Sequence, residues 1–211
     1  LVLAVPDDAI LPAARKLARL GFRCPFAMHL SGALDASSEL APLRNTGTRV
    51  LSFHPLRSFA GRRGENLRGC PIAIEGDAEA VRLGEALARA MGARPWKIRR
   101  AAKPAYHAAA ALTAGGTATL VAAAAREAER AGLSRRQALA AFAELAAGAA
   151  ENIGACGFPA GLTGPFKRRD RVTAGKHRRA LRQNRRLRLL YDHFARLVRR
   201  LQAAVRPPGG H

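Results

Sequence analysis

Through the first hundred residues, short apolar runs alternate with stretches whose apolar positions recur every three to four residues, the pattern of strands followed by amphipathic helices. The run at 1–5 stops at Pro6-Asp7-Asp8. Ile10, Leu11, Ala14, Leu17 and Ala18 then share one face of a predicted helix reaching residue 20, with Asp7 or Asp8 as its cap and Gly21 as its stop. Runs at 26–30, 49–53, 71–75 and 95–98 predict four more strands. Helical patterns at 37–44 and 77–91 fall between them, and an irregular stretch with Gly61, Gly64 and Gly69 separates the third strand from the fourth. Strands joined by helical crossovers pair in parallel, so a mostly parallel sheet is predicted.

Beyond Lys103 the strand pattern ends. Pro104, at home in a first helical turn, opens an alanine-rich helix to 131 with an expected interruption at Gly115-Gly116. Ser134 and Gln137 have the spacing of a capping box for a second helix, reaching 154. A loop over 157–169 precedes two basic helices, 172–182 and 186–205. In the last, Leu187, Leu190, Tyr191, Phe194, Leu197, Val198 and Leu201 form an apolar stripe. The expected organisation is an α/β domain over 1–102, a helical domain over 103–206 and a disordered tail over 207–211.

Composition narrows the class. With 48% hydrophobic residues among 211, the chain can bury a full core. No run approaches the roughly 20 uninterrupted apolar residues of a bilayer span, so no membrane is expected. Cys24, Cys70 and Cys156 are far apart and odd in number, which argues against a disulfide framework and fits a reducing cytoplasm. The net charge of +21 raises nucleic acid as a partner, and positions 167–211 alone hold fifteen basic residues against two acidic. Because those residues sit on helices with an ordinary apolar stripe, a solvated arginine-rich face is the simpler reading.

The candidate chemistry lies at strand ends, where loops of a parallel sheet gather and helix N-termini offer free N–H groups. Val5-Pro6-Asp7, Ser31-Gly32 and His54-Pro55-Leu56-Arg57 are such ends. Each also has a plainer role: Asp7 and Ser31 as helix caps, His54 as a turn residue, Arg57 as a surface charge. Tyr106 and His107 open the first long helix, where an imidazole facing a cleft exchanges protons with a substrate and one facing the core is only a packed side chain. The six histidines show no H-E-x-x-H or H-x-x-x-H pair, so no metal is expected. The absence of G-x-S-x-G argues against a serine hydrolase.

The order of these segments resembles the Rossmann-like oxidoreductase relatives of pyrroline-5-carboxylate reductase, in particular members with a dedicated helical C-terminal domain. The residues that carry the resemblance are 4–10, 29–34 with Ser31-Gly32, 52–59 with His54-Pro55-Leu56-Arg57, 73–77, 106–110 beginning Tyr106-His107, and Leu162-Thr163-Gly164-Pro165 with Arg169-Asp170. The His54-Pro55 step is also similar to a turn in prephenate dehydrogenases.

The resemblance implies an incomplete Rossmann-type sheet plus a helical domain that forms a homodimer. It further implies NADP or NAD as cofactor and hydride transfer to or from a small polar substrate. By the same resemblance, Val5, Pro6 and Asp7 border the adenosine side and Ser31 and Gly32 the nicotinamide end. His54 and His107 are the catalytic candidates, and Arg57, Tyr106 and Thr163 face the substrate. No G-x-G-x-x-G occurs in the chain, so the expectation is a truncated protein whose pyrophosphate-binding loop lies before Leu1. A non-catalytic binding scaffold and a nucleic-acid-binding protein remain the alternatives.

Overall fold

The computed structural model describes residues 1–61 and 66–205, so the predicted tail over 207–211 and Gly64 fall outside the described residues. The chain folds as two compact units, Leu1–Gly116 and the residues from Thr117 onward. That division falls inside a helix, fourteen residues beyond the 102/103 step at which the strand pattern stops.

The first unit holds a five-stranded sheet in the order β1 (Val2–Leu3), β2 (Phe26–His29), β3 (Arg49–Pro55), β4 (Pro71–Gly76), β5 (Arg94–Lys97). β1, β2 and β3 pair in parallel, as do β4 and β5, but β3 and β4 are antiparallel, with Ser52 opposite Glu75 and His54 opposite Ala73. The sheet is therefore mixed. A parallel pair needs a crossover helix, and the described part of the connection from β3 to β4 contains none, so the chain returns beside itself.

Alternation along β3 sends side chains to two cores. Val50 joins Leu3, Ile10, Ala14, Ala27, Leu40 and Leu43 on the face covered by α1 (Asp7–Arg19), α2 (Ala36–Glu39) and α3 (Ala41–Arg44). Leu51 and Phe53 join Ile72, Ile74, Ala80 and Ala88 beneath α4 (Ala78–Ala90). Ser52 and His54 share the parity of Val50, which carries polar groups toward the C-terminal end of the strand on that face. The strand runs through His54-Pro55, so these residues extend it instead of ending it.

Local capping departs from the sequence reading. Pro6 occupies the N-cap of α1, and neither aspartate that follows makes a capping bond there. Asp77 stands at the N-cap of α4, but its carboxylate accepts from the Val50 N–H at 3.0 Å and pairs with Arg44. Gly76 has φ +148, and a Cβ there would collide with the Val50 carbonyl, so this crossing of two backbones requires glycine. The predicted helix over 37–44 is two short helices, α2 and α3, with Asp35 capping the first through the Ser38 N–H.

α5 (Lys103–Arg130) runs unbroken through Gly115-Gly116, contrary to the expected interruption. Its first half belongs to the first unit and its second half to the next. In the second unit, α6 (Arg135–Cys156) begins with the predicted Ser134/Gln137 capping box. The stretch expected as a loop contains a short helix, α7 (Gly164–Arg168), with Pro165 in its first turn. α8 (Arg171–Ala180) and α9 (Arg185–Ala204) follow, capped by Asp170 and Asn184. The α9 stripe is partly covered: Leu187, Leu190, Tyr191 and Phe194 line an apolar hollow with α5, α6 and α7, while Leu197 and Leu201 stay exposed.

The helical segment Arg100–Arg130 is long enough, and over an 18-residue stretch within it apolar enough, to cross a membrane by length and composition, and little of that stretch is buried. Threonines and glycines break its alanine run without adding charge, which is why counting uninterrupted apolar residues overlooked it.

Candidate active site

At the C-terminal ends of β2 and β3, four sequence-predicted residues come together within the first unit. His54 leaves the end of β3, and Tyr106 and His107 lie one turn into α5. His54 Nδ1 and the Tyr106 hydroxyl are hydrogen-bonded at 3.0 Å. The His54 and His107 rings meet edge to face, with centroids 5.7 Å apart. Gly32 is the fourth member, since a Cβ there would lie 2.6 Å from His107 Cδ2 and 2.8 Å from His54 Nε2. Both imidazoles therefore rest against a backbone that tolerates no side chain.

His54, Tyr106 and His107 form one wall of a cavity of about 460 Å³. Arg57 and Ser58 lie at its edge, and Leu56, Trp96, Ala110, Thr113 and Ala114 supply much of the rest. Arg57 is exposed and makes no ion pair among the described residues. Burial pulls the His54 pKa down to about 4, helped by the electrostatic influence of His107 and Lys103 and opposed by Asp7. Burial raises the Tyr106 phenol above its usual range, with the Cys70 thiol adding to the effect. Near neutral pH the pair is thus a neutral imidazole hydrogen-bonded to an intact phenol.

Ser31 is buried, and its side chain turns to its own loop: Oγ donates to Asp7 at 3.0 Å and accepts from the Ala33 and Leu34 N–H groups. Asp7 is thus the partner of Ser31, not a helix cap. Val5 and Pro6 are exposed beside it. Thr163 lies in the second unit, exposed at the N-cap of α7 without a capping bond. Among the described residues, no group of three His, Cys, Asp or Glu is placed to hold a metal ion.

Polar residues that the sequence reading passed over lie directly behind this wall. Lys103 and Ser52 are fully buried, Glu75 nearly so. Glu75 breaks the apolar run of β4 and accepts from the Ala36 N–H at 3.0 Å. A carboxylate at an inward strand position was the readable signal for it, because such groups are buried only when paired. His29 is fully buried, with Nδ1 accepting from the Ser31 N–H and Nε2 left without a partner, and its pKa is lowered to about 4 by burial and by Lys103.

A mixed, mostly parallel sheet with polar groups gathered at its strand ends, continued by a helical region, defines a Rossmann-like class. Within that class, the chain belongs to the family described as Domain of unknown function (DUF2520), whose model matches residues 70–198. Among solved structures, protein TM1727 from Thermotoga maritima is similar, with TM-score 0.79 and 26% identity over 98% of this chain and 79% of that one. A Bacteroides fragilis protein provisionally assigned as an NADP oxidoreductase has TM-score 0.75 and 21% identity over 93% of this chain and 73% of that one. The Plasmodium falciparum pyrroline carboxylate reductase with NADP bound has TM-score 0.61 and 10% identity, over 93% and 77% of the two chains. No curated protein matches. These likenesses establish a Rossmann-like fold.

Proposed function

We propose that the protein is an NADP(H)-dependent oxidoreductase acting on a small polar substrate in the cavity walled by His54, Tyr106 and His107. The observation that carries this reading is the meeting of two imidazoles against Gly32, one of them hydrogen-bonded to the Tyr106 phenol, at strand ends where this class of fold binds its ligands. The NADP in the similar Plasmodium reductase favours NADP over NAD. The residues present fit the nicotinamide end of such a cofactor. Gly32 has no hydrogen-bond partner for its N–H among the described residues, which leaves a free donor at the strand end, while the two imidazoles fill the space beside its Cα. The Ser31-Gly32 loop would hold the nicotinamide, with Val5, Pro6 and Asp7 toward the adenosine.

When bound, the nicotinamide supplies or accepts the hydride. His54 stays neutral and holds the Tyr106 hydroxyl in place. His107, with its ring edge to face with that of His54, gives the substrate a proton or takes one, the role imidazole fills most often. Arg57 attracts an anionic substituent to the cavity edge, and the apolar wall from Leu56, Trp96 and Ala110 excludes water.

The test is thermal unfolding of the full-length protein with NADPH or NADH, since a ligand that binds only the native state stabilises it by about 2.7 kcal/mol at a hundredfold excess over Kd. NADPH is expected to raise Tm more than NADH does. No shift with either would leave a scaffold without a dinucleotide.

We further propose a homodimer through the apolar surface of α5, which a second copy would cover. The alanine and glycine faces of α5 and α6 allow close helix approach, and Leu112 and Leu145 are exposed on them. Light scattering without detergent is expected to give twice the 22.5 kDa of one chain. A monomer, or a protein that needs detergent to remain in solution, would overturn the dimer.

A further inference from the structure

Lys103 is the largest fully buried side chain among the described residues, and the proposed chemistry leaves it unused. It is the first residue of α5, and its Nζ donates to the Ser31 carbonyl at 3.1 Å and to Ser52 Oγ at 2.5 Å. Ser52 Oγ in turn donates to the same carbonyl at 3.1 Å, closing a triangle that joins the loop after β2, strand β3 and helix α5. Burying an ammonium costs several kcal/mol unless charge and hydrogen bonds answer it. Here the negative groups are Glu75, Asp35 and Asp7, and burial still lowers the lysine pKa.

Each corner of the triangle stands close in sequence to one of the four residues that meet at the candidate site. Gly32 follows Ser31, and His54 follows Ser52 by two residues, on the same face of β3. Tyr106 and His107 follow Lys103 by three and four residues, one helical turn away on the same side. Among the described residues, no other side chain bonds to both strand ends and also belongs to α5.

We propose that Lys103 is a positioning residue: by tying the Ser31 carbonyl and the Ser52 hydroxyl to the first turn of α5, it sets how closely the His54 and His107 rings approach each other over Gly32. The inference rests on the proposed oxidoreductase site only for its catalytic consequence. The arrangement of rings is a property of the chain without ligand.

The test is NMR on the full-length protein, free of cofactor and substrate, following the cross-relaxation between the His54 and His107 ring protons in wild type and in K103M. The expected result is a folded variant in which that ring-to-ring contact is lost. A lysine serving stability alone would give a lower Tm with the contact retained, and that outcome overturns the proposal. If K103M does not fold, S52A decides, because it removes one corner of the triangle and keeps the charge: loss of the contact supports the role of Lys103, and an unchanged contact overturns it. Since no cofactor is present, failure of the hydride-transfer reading would leave this result standing, whereas a catalytically competent protein with unmoved rings would end the Lys103 role alone.

Discussion

Folding stability is expected to fall steeply as pH drops from 6.5 to 4, because two histidines are held neutral inside the protein. His29 and His54 both have pKa values of about 4 in the folded state. In the unfolded chain each protonates as pH passes about 6.5. Between those values the unfolded state carries more protons, so acid favours it, and the loss levels off once the folded protein also takes them up. A shift of this size corresponds to at most roughly 3 kcal/mol for fully buried His29, and to less for half-buried His54, where solvent screens the effect.

The groups around the two rings are Lys103, Asp7 and Asp35 for His29, and His107, Lys103 and Asp7 for His54. Burial is what chiefly keeps both imidazoles neutral; Lys103 adds to it and the carboxylates oppose it. The check is urea denaturation at a series of pH values. The slope should approach ~2.7 kcal/mol per pH unit in mid-window, the value for two protons, and H54Q should roughly halve it. A flat profile between pH 6.5 and 4.5 would show that the buried rings titrate normally.

What could be read from the sequence was local. The alternation along β3 separates Leu51 and Phe53 from Val50, Ser52 and His54, so the strand and the shared face of its polar residues follow from period two. The Ser134/Gln137 box needs only three residues of spacing. What stayed hidden depends on partners distant in sequence. Asp7 has a good cap position, yet its carboxylate meets Ser31, 24 residues away. Lys103 ahead of Pro104 reads as a solvated helix start, and only the bonds to Ser31 and Ser52 reveal it as buried.

The antiparallel pairing of β3 with β4 was hidden for a related reason: a glycine-punctuated connection does not declare which side of the strand it returns to. Within the candidate site, His54, Tyr106 and His107 were legible as polar residues at strand and helix ends, and Gly32 as a turn. Its physical requirement, two rings against one backbone carbon, appears only in three dimensions. Trp96 at the end of β5 had no local signal connecting it to the same cavity.

Replacing His107 by asparagine is expected to leave the fold intact and to cost about 100-fold or more in turnover of NADPH-dependent reduction. The fold survives because the ring is only partly buried and makes no hydrogen bond among the described residues, so its loss removes an edge-to-face contact with His54 and little else. Turnover falls because asparagine can hold a substrate oxygen or nitrogen but cannot exchange a proton with it. The alternatives in the cavity are poorly suited: His54 already shares its Nδ1 with Tyr106 and resists protonation, and the phenol is held in its neutral form. A 100-fold loss is about 2.7 kcal/mol of barrier. It should appear in kcat with KM little changed, because the group acts on the reacting atoms and contributes little to substrate affinity. If the variant instead turns over within threefold of wild type, His107 is a packing residue against Gly32, and the proton must come from elsewhere in the cavity.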